Sequence, residues 1–198
     1  MKVIGLTGIF GSGKSAVAGF MKDMGATVID ADSVVRSLYK PDSEAWRRVV
    51  ALFGAGILTS SREIDRQKLG AIVFKDKSAL QKLNNAVHPL VKQRVKNLLD
   101  EYRRKQVPVV VIEAALLFEA GWGDLVNETW VTTAPREVIF RRLNTKLGLP
   151  CSEVMARIHR QMPVREQVKR ATRVINTDTS LDRLRTKVQR LWRELVAA

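Results

Sequence analysis

The chain has 198 residues, 45% hydrophobic and 27% charged, enough to bury one good core with a small appended subdomain and too apolar for a disordered polymer. No apolar run approaches the length of a membrane span, the start Met1–Gly5 does not read as a signal peptide, and the lone cysteine, Cys151, can form no internal disulfide. These features predict a cytoplasmic protein in a reducing compartment with no membrane partner. The formal net charge is +14, and most of the excess lies in residues 136–198, with fifteen Lys and Arg against six Asp and Glu; such a surface attracts polyanions and equally suits a pocket that holds several phosphates.

In chain order, Val3–Leu6 reads as a short apolar strand. The segment Gly8-Ile9-Phe10-Gly11-Ser12-Gly13-Lys14-Ser15 fits G-x-x-x-x-G-K-[ST], and Ser15–Met24 reads as a helix with Val17, Phe20, Met21 and Met24 on one face. Strand, glycine loop and helix together form a phosphate-binding unit, because the glycines let successive N–H groups converge and the helix N-terminus adds partial positive charge. Lys14 can reach β- and γ-phosphates, and the Ser15 hydroxyl can ligate Mg²⁺. The Asn-Lys-x-Asp tetrad of GTPases is missing, so ATP is the expected nucleotide. Thr27–Ile29 is a second strand, and Asp30 and Asp32 stand at its carboxyl end, where ligands bind in open parallel sheets. A strand so placed commonly lies near the one that feeds the loop. Either carboxylate can then accept or orient the proton of an attacking hydroxyl, bind Mg²⁺ through water, or cap a helix beginning near Ser33.

Helical patterns follow at Ser43–Leu52, Arg66–Phe74, Ser78–Val87 and Pro89–Arg104, with Pro89 suited to the first position of a helix. This stretch is too long for a simple crossover and predicts a substrate-side subdomain. Val107–Ile112 is an apolar run expected to be a central strand, with Glu113 at its end, and Glu128–Thr132 is the fourth strand. Pro135–Leu147 reads as a helix ended by Gly148-Leu149-Pro150, with Cys151 in that turn as a structural residue and Ser152 as N-cap of Glu153–Gln161. Two basic helices around a Gly-Pro turn resemble a mobile lid. Arg173–Ile175 is a fifth strand, and Thr179-Ser180 should start a last helix whose Leu181, Leu184, Val188, Leu191 and Leu195 form a core stripe. The fold class is α/β: a central parallel sheet flanked by helices, with a helical insertion and a helical lid.

A series of short motifs runs through nearly the whole chain. They are Gly5-Leu6-Thr7-Gly8 into Gly11–Ser15, Asp30-Ala31-Asp32, Ile64-Asp65-Arg66 with Leu69 and Val73-Phe74, His88-Pro89, Leu116-Leu117-Phe118-Glu119, and Arg157-Ile158 with Gln161. In order and spacing this series resembles the dephospho-coenzyme A kinases. The resemblance implies a P-loop kinase core that transfers the γ-phosphoryl of ATP, with Mg²⁺, to the ribose 3′-hydroxyl of dephospho-coenzyme A. It implies a nucleotide core of residues 1–32, 106–135 and 164–198, a helical coenzyme-binding domain of residues 33–105, and a lid of residues 136–163. By the same resemblance Gly8 and the stretch Gly11, Ser12, Gly13, Lys14, Ser15 and Ala16 wrap the phosphates. Asp32 is the base, Arg142 neutralises charge on the moving phosphoryl group, and Arg66, His88, Leu116, Phe118 and Glu119 lie on the acceptor side. The segment Ala171–Thr177, with Asn176, borders the adenine.

The chain departs from the family pattern at Phe10, bulkier than usual, and at Lys146, which stands where a second lid arginine is usual and lacks its bidentate fork. Glu113-Ala114-Ala115 replaces an acidic-x-Pro, though Glu113 is kept as an indirect Mg²⁺ partner, and Ala171–Thr177 lacks the usual Ala-Asp pair and Asn-Gly-like turn. Two other readings share part of the pattern. A nucleoside monophosphate-type kinase shares loop, lid and helical acceptor domain. A nucleotide-dependent nucleic-acid-binding protein would explain the charge, but no nucleic-acid-binding motif accompanies it and Trp46, Trp122, Trp130 and Trp192 are too scattered for a stacking platform. The expected partners are small molecules, without nucleic acid, and the expected state is a monomer or weak homo-oligomer.

Overall fold

The computed structural model describes residues 1–197; Ala198, the last residue of the expected core segment 164–198, and the side chain of Phe74 lie outside the described residues. The chain divides into two compact units, one of residues 1–30 with 102–198 and the other of residues 31–101.

The first unit is built on five parallel strands: β1 (Lys2–Gly8), β2 (Thr27–Asp30), β3 (Val109–Glu113), β4 (Glu128–Thr133) and β5 (Arg173–Asn176), in the order β2-β3-β1-β4-β5. All five expected strands form. β3 carries Val109-Val110-Val111-Ile112, buried on both faces as an interior strand of a covered parallel sheet must be. It also lies between β1 and β2, so the second strand is not the direct neighbour of the loop-feeding strand. The register pairs Leu6 with Glu113, Asp30 with Glu113, and Gly8 with Thr132, which brings the carboxyl ends of β1 to β4 to one edge of the sheet.

Helices α1 (Lys14–Asp23) and α9 (Leu181–Ala197) supply Val17, Met21, Leu184, Val188, Leu191 and Leu195 to a core shared with Ile4, Leu6, Val111 and Ile175. Trp130 belongs to it and is fully buried, its indole N–H satisfied by Glu128 Oε2 at 2.7 Å. Leu181 was expected in this stripe but is 65% exposed, because it is the first residue of α9, before the helix meets the core. The unit also holds α6 (Arg136–Leu147), α7 (Cys151–Ile158) and α8 (Val164–Arg170). The Pro150 carbonyl accepts the N–H groups of Glu153 and Val154, so α7 starts ahead of Ser152. Ser152 is therefore a first-turn residue rather than a cap, Cys151 is an exposed helical residue rather than part of a turn, and Gln161 lies beyond the helix end. A second apolar cluster joins Ile139, Leu143, Val154 and Ile158 to Ile9, with Phe10 packed against it.

The second unit contains α2 (Ala31–Leu38), α3 (Glu44–Phe53), α4 (Arg66–Lys75) and most of α5 (Lys77–Arg104). Side-chain caps set its helix starts, among them Asp76 Oδ1, which accepts the Ser78 N–H at 2.7 Å at the head of α5. Ser43 Oγ accepts the Trp46 N–H at 3.2 Å, and Asp65 Oδ1 accepts those of Gln67 and Lys68 at 2.9 and 3.1 Å. The Trp46 indole donates to the Arg62 carbonyl at 2.7 Å, tying the connecting loop to α3. The two helices expected at Ser78–Val87 and Pro89–Arg104 are one, with Pro89 in its interior. Proline removes the bond to the Asn85 carbonyl. Pro89 and Asn85 are both exposed, so water can serve that carbonyl, while the stripe Val87, Val91, Val95 and Leu99 stays buried straight through the proline.

Candidate active site

The loop between β1 and α1 is shaped by three glycines with positive φ, at +145° for Gly8, +79° for Gly11 and +93° for Gly13. A Cβ on Gly8 would lie 2.4 Å from Thr132 Oγ1, and one on Gly11 2.7 Å from Leu143. Helix α1 has Gly13 at its N-cap with no side chain capping it and no acidic residue in its first turn. Its leading N–H groups thus present uncompensated positive charge to an anion. Lys14 folds back over the loop, Nζ donating to the carbonyls of Gly8 (2.9 Å) and Ile9 (3.2 Å). Within the loop the Ser12 N–H donates to the Ile9 carbonyl at 3.0 Å.

Beside the loop, Ser15 Oγ donates to Glu113 Oε1 at 2.7 Å, and Asp30 is in register with Glu113 on the next strand. Hydroxyl and carboxylate oxygens are the ligands a hard divalent cation takes, and Mg²⁺ is commonly held by one or two carboxylates plus substrate phosphates rather than by an all-protein cage. No group of three or more His, Cys, Asp or Glu side chains able to hold a metal occurs among the described residues.

Hydroxyl groups lock the loop from below. Ser12 is fully buried, and its Oγ lies 2.7 Å from Thr132 Oγ1, which reaches the Thr7 carbonyl at 3.2 Å. Thr177 Oγ1 donates to the Ser12 carbonyl at 2.8 Å. From above, Gln161 Oε1 accepts the Phe10 N–H at 2.6 Å while its Nε2 donates to the Ala115 carbonyl at 2.9 Å, and the Arg157 guanidinium stands 5.0 Å from the centre of the Phe10 ring. Thr132 and Thr177 carry no local signal of these roles, since they contact Ser12 across 120 and 165 residues of chain. Gln161 is visible in the motif series but not its task.

The other expected site residues fall into two sets. In the first unit, Arg142 directs Nη1 to Thr177 Oγ1 (2.9 Å) and Nη2 to the Thr177 carbonyl (2.6 Å). Leu116 is exposed while Leu117 fills the core, and Phe118 lies under Arg170 at 5.9 Å. Glu119 accepts the Met162 N–H at 2.5 Å, and Asn176 Oδ1 accepts that of Asp178 at 2.8 Å. In the helical unit, Asp32 is exposed in the first turn of α2, Arg66 opens α4, and His88 sits within α5 before Pro89. Burial pushes the Tyr39 phenol above its ordinary value, partly offset by the nearby Arg66 charge.

Residues 2–183 match the family model for dephospho-CoA kinase. The chain belongs to the dephospho-CoA kinase family. The dephospho-CoA kinase of Dehalococcoides mccartyi is 41% identical over 194 residues, covering 98% of this chain and 98% of that protein. The dephospho-CoA kinase of Geobacter sulfurreducens is 42% identical over 192 residues, covering 97% and 98%. A solved structure of a protein from Thermus thermophilus has the same fold, with a TM-score of 0.81 at 35% identity over 98% of this chain and 97% of that one. The match to the dephospho-CoA kinase family runs through both units, so the phosphate loop and the helical insertion belong to one shared pattern. No helix among the described residues is long and apolar enough to cross a membrane.

Proposed function

We propose that this transferase moves the γ-phosphoryl of ATP to the ribose 3′-hydroxyl of dephospho-coenzyme A, giving coenzyme A and ADP as the last step of coenzyme A synthesis. The observation that carries the reading is the glycine-shaped loop, with Ser15 on Glu113, in a chain matched to the dephospho-CoA kinase family over residues 2–183. The loop amides and Lys14 take the charge of the triphosphate. Ser15, with Glu113 as an indirect partner and Asp30 beside it, would hold a Mg²⁺ ion, which would neutralise phosphate charge. Asp32 receives the proton of the 3′-hydroxyl as its oxygen bonds to the γ-phosphorus and the bond to the β,γ-bridging oxygen breaks. Arg142 stands on the donor side, and α6 and α7, the proposed lid, keep water from the reacting phosphorus. Arg66, His88 and the segment Leu116–Glu119 receive the acceptor, and Asn176 lies by the adenine.

The deciding measurement is ADP release by the whole chain with ATP and Mg²⁺, offering dephospho-coenzyme A or a panel of nucleoside monophosphates. Turnover with dephospho-coenzyme A at least about 100-fold above any monophosphate is the expected result, given what a site built to pair an acceptor's polar groups can discriminate. Turnover with a monophosphate and none with dephospho-coenzyme A would overturn the assignment.

A further inference from the structure

Thr177 follows β5 immediately, and its position is fixed by its own N–H, which donates to the Thr133 carbonyl at 2.8 Å. Its side chain is 1% exposed. The hydroxyl donates to the Ser12 carbonyl at 2.8 Å, with the Thr133 carbonyl a longer alternative at 3.2 Å, and it accepts from Arg142 at 2.9 Å. Its methyl and hydroxyl both border Gly13, where an added Cβ would meet Cγ2 and Oγ1 each at 3.1 Å. Arg142 adds a second bond to the Thr177 carbonyl, so two of its N–H donors grip this one residue.

We propose that Thr177 is a positioning residue for nucleotide binding: its single buried hydroxyl sets the carbonyl of Ser12 in the phosphate loop and the guanidinium of Arg142 on α6 at the same time. The physical basis is directional. A hydroxyl has one hydrogen to give, and here it goes to the loop backbone, so its lone pairs face the arginine. A guanidinium donating to that oxygen polarises it and strengthens the bond onward to Ser12. Remove the hydroxyl, and a buried loop carbonyl and a half-buried cation each lose a partner. Thr177 touches no reacting atom in this scheme. It acts through the loop that holds the phosphates and through the arginine that faces them. The inference rests on the reading above that the loop holds ATP and that Arg142 lies on its side.

The test is calorimetric titration of the whole chain with ATP and magnesium chloride, beside steady-state kinetics, for wild type, Thr177→Val, Thr177→Ser, Arg142→Ala and the Thr177→Val/Arg142→Ala double variant. Thr177→Val keeps the branched shape against Gly13 without the hydroxyl, and should weaken ATP binding about tenfold while moving KM for dephospho-coenzyme A less than about twofold. Thr177→Ser should restore ATP binding to within about threefold of wild type, and the double variant should lose less than the product of the two single losses. If the valine variant does not fold, Thr177→Ala against Thr177→Ser, which differ only in the hydroxyl, reads the same difference. Unchanged ATP affinity without the hydroxyl, a serine variant as impaired as the valine, or fully multiplicative losses each overturn the coupling. Those results leave the proposed reaction standing if wild type still phosphorylates dephospho-coenzyme A. A wild-type chain that takes up no ATP overturns both.

Discussion

Gly8→Ala probes the loop where it is tightest. At a φ of +145° a side chain is strained before it touches anything. The new methyl would lie 2.4 Å from Thr132 Oγ1, 2.5 Å from the Thr132 carbonyl oxygen and 2.6 Å from Ser12 Oγ. A hydroxyl can rotate away, but the carbonyl is fixed in the β4 ladder opposite Gly8, so the backbone must give. Strain of about 1–3 kcal/mol and overpacking of about 1–3 kcal/mol add to a destabilisation of about 2–6 kcal/mol. The internal control is Gly19→Ala in α1, where an added Cβ meets nothing within 4 Å. That variant should gain about 0.4–1 kcal/mol, because alanine has fewer unfolded conformations to lose. Urea unfolding of the two variants beside wild type reads both signs in one assay. A Gly8→Ala midpoint at or above wild type would refute the packing described for the loop.

Lys14→Met should abolish measurable ATP binding, since its ammonium is the compact cation of the loop; a titration that returns wild-type affinity contradicts the placement. Asp32→Ala should retain ATP affinity and lose transfer by about 100-fold or more, the scale of a lost general base; rapid-quench measurement of phosphoryl transfer is the check, and normal turnover removes Asp32 from its role. Tyr39→Phe should flatten the alkaline end of the stability curve. Burial raises the Tyr39 phenol in the folded protein, with Arg66 partly opposing, so its stabilising contribution is complete below the unfolded value of about 10 and is lost as pH rises through the raised folded value. Urea midpoints taken from about pH 9 to about pH 11.5 should therefore diverge between wild type and variant, and parallel curves would contradict the burial of that phenol.

The parts of this fold set by neighbours in sequence could be read from sequence. Val109–Ile112 is β-branched and unbroken, and the loop Gly8–Ser15 carries its own flanks, so strand, turn and helix follow locally. What depends on distant partners was hidden. Nothing in Thr27–Asp30 tells that β3 will slip between it and β1. Pro89 has the local character of a helix start, yet the buried stripe through Val87 and Val91 outweighs the one bond it removes. The short helix α8 has too few residues to show a period. At the site, glycines and Lys14 announce themselves because their chemistry is local to the motif. Thr132, Thr177 and Gln161 acquire their tasks only when the sheet edge brings them to Ser12 and Phe10.

The ordering of the core along the chain has a consequence for biosynthesis. Ile4, Val17 and Met21 are covered by Leu184, Val188, Leu191 and Leu195, and Lys2 Nζ donates to the Leu195 carbonyl at 2.6 Å. A ribosome adding about 5–20 residues per second needs on the order of 10–40 s to travel from the first of these groups to the last. Until that interval ends, the apolar side chains of Ile4, Val17 and Met21 lack the cover that α9 gives them in the finished fold.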